Sequence, residues 1–298
     1  MNTSVWPAPA KLNLFLHILG RREDGYHELQ SIFQFLDLED SITLSARADG
    51  RVCRSSSHAG IEEDADLVVR AARLLKDESG TDLGADIAVD KRIPLGAGLG
   101  GGSSDAATTL LGLNTIWKLG FGAERLAVLG LRLGADVPVF VHGLAAWAEG
   151  VGERLAPVEL DTPWYLVINP ACSVSTSQVF NHPALTRDST PLRIRDFLPP
   201  GGGQTLSVRD VLARAGNDCE AVVRMLYPEV GRALDWLSRH GDARMTGTGA
   251  CVFAAFSDQT WARSALADLP QGMRGFVARG LNCSPLRERL EEEQSEEQ

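Results

Sequence analysis

The sequence predicts an α+β protein of two domains, and three observations carry that reading. Apolar residues alternate through residues 10–18 and the strand-like runs SIFQFLDL and SITLSA follow, so the chain opens as a β-rich layer. A helix, a strand, a glycine-rich loop and two more helices then occupy residues 62–133. Composition shifts at residues 159–163, where WYLVINP begins a new strand. The boundary is therefore placed near residue 160, with residues 1–159 and 160–285 as the two domains and 286–298 as an acidic, disordered tail. A chain of 298 residues that is 44% hydrophobic and 23% charged can bury a core of that size.

In the first strand Leu12, Leu14, Leu16 and Ile18 share one face, and Lys11, Asn13, Phe15 and His17 the other. A polar turn, GRREDGYHEL, leads to the next strands, and residues 46–60 read as weak strand or loop. The spacing of Leu67, Ala71, Leu74 and Leu75 predicts an amphipathic helix that Gly80 stops. ADIAVDKRIP is a strand that delivers the chain to PLGAGLGGGSSDAATT. Ala106, Leu110, Leu113 and Trp117 predict a helix just beyond, capped by Ser103, Ser104 or Asp105. Leu126, Leu129 and Leu133 give another helical face, ended by Gly134. Pro138 pushes Val137 away from helix, which puts Asp136 at a sharp junction. In the second half, the proline- and glycine-rich residues 188–204 read as a surface loop. Helices are expected over 217–224, 229–240 and 260–267, with MTGTGAC as a glycine turn before an alternating strand and GFVARGL as the last strand.

Glycines let the loop at residues 94–104 come close to a ligand, and the helix that follows offers unpaired N–H groups and the positive end of its dipole. That is the requirement of a phosphate cradle. The GxGxxG dinucleotide pattern fits by arithmetic only, because residues 114–121 hold no acid to close a second strand. A Walker loop is excluded because no lysine follows Gly102, and the protein-kinase loop lacks its HRD and DFG partners. A plain Gly/Ser connector is the bland alternative.

The net charge of −10 and a pI of about 5.1 argue against a nucleic-acid surface. No run is long and apolar enough to span a membrane. Five widely spaced cysteines without a CxxC pair point to reduced thiols in a cytoplasm. Individually, Lys11 reads as an exposed strand lysine, Asp136 as a helix cap, and Tyr26 and His27 as turn residues.

Together the segments say more. PAKLNLFL, DGYHEL, PLGAGLGGGSSDAA, GADVPVF and MTGTGACVF, in this order, resemble the galactose, homoserine, mevalonate and phosphomevalonate (GHMP) kinase superfamily over Trp6 to Pro285. PAKLNLFL, DGYHEL and GADVPVF are similar to the branch that phosphorylates a tertiary hydroxyl on the erythritol portion of a cytidine diphosphate substrate, in the non-mevalonate isoprenoid pathway.

The resemblance implies an N-terminal domain with a left-handed βαβ crossover, a C-terminal ferredoxin-like domain, and a cleft between them where ATP and substrate meet. It also implies that Asp136 is the general base and Lys11 the catalytic lysine that pairs with it and offsets charge on the transferred group. Asn13 would orient substrate. Tyr26 and Phe180 would be the aromatic pair around the cytosine, His27 would supply its hydrogen bonds, and Thr176 would be a neighbour. ATP phosphates would lie on Pro94, Gly96, Gly98, Leu99, Gly100, Gly101, Gly102, Ser103 and Ser104, with Lys91 or Arg92 towards adenosine. Mg²⁺ is expected, with Ser104 or Asp105 as possible contributors beside phosphate and water. One departure stands out: the family has asparagine where this chain has Asp66, and a carboxylate cannot donate a hydrogen bond to a nucleotide edge. Two other readings remain open: a kinase of the same superfamily acting on homoserine or a mevalonate derivative, and a nucleotide-binding regulator without catalysis.

Overall fold

The computed structural model describes residues 3–55, 62–198 and 203–296; residues 56–60 and 199–202 of the segments read above as loops lie outside them. Two long antiparallel strands, β1 (Thr3–Arg21) and β2 (His27–Arg47), form the spine. SIFQFLDL and SITLSA are one strand because Asp40, one of the two polar residues between them, is buried with its carboxylate accepting from the backbone N–H groups of Arg92 and Ile93. The chain continues through β3 (Val52–Arg54), α1 (Leu67–Ser79), β4 (Gly84–Asp90), α2 (Gly101–Ile116), α3 (Ala123–Leu131) and α4 (Val137–His142). Asp66 caps α1 by accepting from Val68 N–H, and Gly80, at φ 68°, ends it in the left-handed conformation.

Next come β5 (Ala146–Glu149), β6 (Arg154–Pro157), β7 (Glu159–Leu160) and β8 (Trp164–Asn169). They are followed by α5 (Thr176–Phe180), β9 (Thr205–Leu206), α6 (Val208–Arg214), α7 (Glu220–Leu226), α8 (Pro228–Leu237), β10 (Arg244–Met245) and β11 (Val252–Phe256). The chain closes with α9 (Gln259–Ala267), β12 (Arg274–Leu281) and α10 (Pro285–Glu296). In the second half the strands lie β10-β11-β8-β12, every neighbour antiparallel, which is the ferredoxin-like order. Strand β12 also pairs with β2 through Gly280 and Leu281 opposite Leu36 and Phe35, so one sheet runs through both halves of the chain.

Alternation along β8 divides the core. Tyr165 and Val167 join Leu12, Leu14, Phe15 and Leu36 on one side, while Leu166 and Ile168 join Val222, Val230 and Leu234 on the other. A third cluster packs Trp6, Phe35, Ile42 and Leu44 of the spine against α1 and α2. Each such side chain taken fully from water contributes about 1.5–3 kcal/mol.

Four sequence expectations need correction. The helix after the glycine loop starts at Gly101 with Gly100 as its N-cap at φ 75°, so Ser103, Ser104 and Asp105 sit inside its first turns and do not cap it. Val137 is helical rather than extended: α4 starts there, with Pro138 in the first turn, where a missing N–H costs nothing. Strict alternation fails in β1, because an irregularity between Asn13 and Leu16 turns Phe15 into the core against Trp147 and Phe197. The acidic tail is helical over Pro285–Glu296. Leu286 is buried, Arg287 and Arg289 pair with Glu291 and Glu293 one turn on, and the Arg289 guanidinium lies 5.2 Å from the Trp6 ring centroid.

Candidate active site

The irregularities in β1 that break its pairing with β2 are what build the site. Lys11 N–H donates to Leu99 O at 3.0 Å and Asn13 N–H to Thr246 Oγ1 at 2.9 Å, so this stretch is laced to both glycine turns as well as to β2. Cys251 N–H donates to Ala97 O at 3.0 Å, and the Asn217 amide donates to the carbonyls of Met245 and Gly247, both at 2.8 Å. The first glycine turn thus comes from the N-terminal half and the second from the C-terminal half, and they hold each other.

A cavity of about 570 Å³ opens between them. At its floor Lys11, only 2% exposed, reaches Asp136 Oδ2 at 3.1 Å and also donates to Gly98 O at 3.2 Å and to Asn13 Oδ1. Asn13 in turn donates to Ser31 Oγ at 2.8 Å, which donates to Phe15 O at 2.7 Å, so the Asn13 amide has one orientation. One wall is the glycine loop. Gly96, Gly98 and Gly100 have φ of 62°, 76° and 75°, three left-handed residues at alternate positions, which leaves the chain tightly curled at the start of α2. That helix has no acidic residue in its first turn and no side-chain cap, and among the described residues Lys11 is the one lysine or arginine lining the cavity. An anion here is met by backbone N–H groups, the helix dipole and a single ammonium.

The opposite wall is aromatic. The His27 ring stacks on Phe180 with centroids 5.0 Å apart at 28°, and Tyr26 stands exposed on the rim. Thr176 lines the same wall and shares a 2.9 Å hydrogen bond with Thr248. Burial, with the charges of Arg187 and Arg21 adding to it, lowers the His27 pKa, which favours the neutral ring.

The sequence-predicted residues divide accordingly. Lys11, Asn13, Tyr26, His27, Asp136, Thr176 and Phe180 all line the cavity, as do Gly96, Gly98, Gly100 and Ser103. Pro94 leads into the loop, Leu99 turns its side chain into the core, Gly101 and Gly102 open α2, and Ser104 is fully buried with no hydrogen-bond partner for its hydroxyl. Lys91 lies beneath the loop, its ammonium bridging Asp40 and Asp105. Asp66 uses both oxygens as an acceptor, one for Val68 N–H and the other for Arg54 at 2.6 Å. Sequence reasoning missed Ser31, Asp40 and Arg187, which act through other residues and lie outside any motif. Thr246 was within reach, since MTGTGAC stood out as a second glycine turn.

Asp105 is the titrating member of the buried cluster. Lys91 stands between two carboxylates that together raise its pKa despite burial. Asp40 accepts two backbone N–H groups besides, while Asp105 Oδ1 has no partner. Burial therefore pushes Asp105 up to about 7, with Lys91 pulling the other way and Asp40 adding to the rise. The folded protein holds this proton between the unfolded value of 3.8 and about 7, so this group's contribution to stability declines as pH rises through that window. Asp105→Asn removes the penalty. Its Tm relative to the parent is expected to climb by several degrees between pH 5 and pH 8, a few kcal/mol at most; parallel Tm curves would refute the assignment.

Fold and cavity define a small-molecule kinase of the GHMP type, and comparison with known proteins agrees. The model of the GHMP kinases N-terminal domain matches residues 66–144 and that of the GHMP kinases C-terminal domain matches residues 207–275. The chain belongs to the GHMP kinase family. It is 55% identical over 284 residues to the 4-diphosphocytidyl-2-C-methyl-D-erythritol kinase of Chromohalobacter salexigens, covering 95% of this chain and 93% of that one. It is 56% identical over 289 residues to the protein of that name from Alkalilimnicola ehrlichii, covering 97% and 95%. A crystal structure of 4-(cytidine 5'-diphospho)-2C-methyl-D-erythritol kinase superposes with a TM-score of 0.77 at 33% identity, over 93% of this chain and 99% of that one. A mevalonate kinase structure shares the fold at 15% identity and a TM-score of 0.65. Among the described residues no helix is long and apolar enough to cross a membrane, and all five cysteines are free.

Proposed function

We propose that this chain transfers the γ-phosphoryl group of ATP to the 2-hydroxyl of 4-diphosphocytidyl-2-C-methyl-D-erythritol. The observation that carries the reading is the Lys11–Asp136 pair, 3.1 Å apart, between a glycine-rich anion cradle and a His27–Phe180 stack. The base of the substrate lies against that stack with Tyr26 closing over it, and Thr176 flanks it. Asn13 orients the erythritol hydroxyl towards Asp136. As the hydroxyl oxygen bonds to the γ-phosphorus, its proton passes to the Asp136 carboxylate and the bond from the γ-phosphorus to the bridging oxygen breaks, releasing ADP. Lys11 offsets charge on the transferred group, and the N–H groups at residues 96–104 hold the β- and γ-phosphates.

Mg²⁺ accompanies ATP in this reading. Among the described residues there is no cluster of three His, Cys, Asp or Glu side chains, so phosphate and water oxygens supply most of its coordination. Ser104 and Asp105 are poorly placed to hold it: their Oγ and Oδ1 are buried oxygens without partners at the start of α2, but neither residue lines the cavity and Lys91 holds the other Asp105 oxygen. When bound, the ion neutralises charge on the phosphates. The domain boundary near residue 160 is part of the same proposal, as is action in the cytoplasm.

A screen with γ-labelled ATP tests the acceptor. Label is expected on the cytidyl substrate and not on homoserine or mevalonate; equal labelling of the latter two would move the chain to a sibling activity. ATP binding with no acceptor labelled would make it a nucleotide-binding regulator.

A further inference from the structure

Arg187 lies outside every motif in the sequence, yet each of its three guanidinium nitrogens has a partner beside the aromatic wall. Nη2 donates to the carbonyls of Phe180 at 2.8 Å and His182 at 3.0 Å, and Nη1 donates to Leu185 O at 3.1 Å. The third nitrogen, Nε, donates towards His27 Nε2 from 3.1 Å. A guanidinium can only donate, so the nitrogen it meets must carry a lone pair. In a neutral imidazole the hydrogen then resides on the other nitrogen, Nδ1. Among the described residues Nδ1 meets no protein acceptor, and the ring that carries it lines the cavity, held near-parallel to Phe180.

We propose that Arg187 is a positioning residue that sets the tautomer of His27, so that His27 presents an Nδ1–H donor to the nucleobase and the site selects cytosine over uracil. This rests on the cytidine reading above. The ring nitrogen N3 of cytosine has a lone pair and accepts such a hydrogen, whereas N3 of uracil carries its own hydrogen and would meet the donor head-on. A buried donor facing another donor leaves both unsatisfied, which is how a polar site rejects an isostere. The same arginine ties the chain after α5 to the ring it orients, so the stack and the tautomer are set by one side chain.

The test is ¹⁵N NMR of the imidazole rings in the ligand-free protein, with His27 assigned by His27→Gln. Nε2 is expected at the unprotonated position and Nδ1 at the protonated one. Arg187→Met is expected to shift the ring towards the Nε2–H tautomer. It should also lower the preference for the cytidyl over the corresponding uridyl substrate about tenfold, through KM rather than kcat. Arg187→Lys, which keeps a donor, should recover part of that preference. A protonated Nε2 in the parent protein would overturn the proposal even if Arg187→Met fails to fold. So would an unchanged tautomer and substrate ratio in a folded Arg187→Met, the pattern of a purely structural arginine. Failure of the cytidine reading is distinguishable, because the parent protein would then show the Nδ1–H tautomer without phosphorylating the cytidyl substrate.

Discussion

Asp136→Asn is expected to lower kcat by roughly 10²-fold to 10⁴-fold while the Kd for ATP stays within about twofold, because the substitution removes a proton acceptor and little else. An amide oxygen can still accept from Lys11, and Lys11 keeps Gly98 O and Asn13 Oδ1 as partners, so the ammonium is not stranded. Asp136 itself makes no capping bond to α4, and at 36% side-chain exposure it contributes little to the core. Stability should therefore hold while turnover falls, and this separation makes the variant informative. Single-turnover kinetics with pre-bound ATP measures the chemical step, and calorimetry measures ATP affinity. Near-normal turnover would remove Asp136 from the proton-transfer role; a matching loss of ATP affinity would mean that the pair shapes the cradle instead.

Asp136 can be singled out from sequence for a reason that does not apply to Arg187. It lies in GADVPVF, a segment that resembles the GHMP kinases, although the extended junction expected from Pro138 is the start of α4. Local backbone chemistry does mark Gly80 at the end of α1 and the glycine cradle, whose backbone demands left-handed residues. Arg187 acts across 160 positions of sequence on His27. Nothing in its own neighbourhood signals a partner that only the folded chain supplies. The misread α10 has a related cause. Its composition resembles a solvated tail, and what holds it is the burial of Leu286 and the contact of Arg289 with Trp6, at the far end of the chain. The ends of elements misled for a third reason: the helix start at Gly101 is decided by a glycine cap at φ 75° rather than by the serines that sequence rules favour. Burial of Lys11 in β1 was likewise invisible, because alternation marks it as a solvent face and the irregularities in β1 reverse that.

Gly98→Ala is expected to be severely damaging to activity, because it is forbidden twice. At φ 76° an alanine pays left-handed strain of about 1–3 kcal/mol. Its Cβ would stand 2.4 Å from Thr246 O and 3.0 Å from Gly249 O, both backbone atoms of the opposite glycine turn, which cannot rotate away. Relief requires the two turns to separate. That loosens the Thr246 hydroxyl from Gly98 O, at 3.3 Å, and draws Gly98 O away from Lys11. Since the cradle and the catalytic pair share this carbonyl, a shift near 1 Å should reduce kcat/KM by about 10²-fold, with KM for ATP rising and kcat falling together. Gly120→Ala is the control. It has φ 67° and nothing within 4 Å of its added Cβ, so it bears the strain without the collision and should keep full activity at a modestly lower Tm. Equal activity loss in both variants would mean that backbone strain alone, and not contact between the two turns, governs the site. Loss confined to Gly98→Ala would establish that the two glycine turns must touch for phosphoryl transfer to proceed.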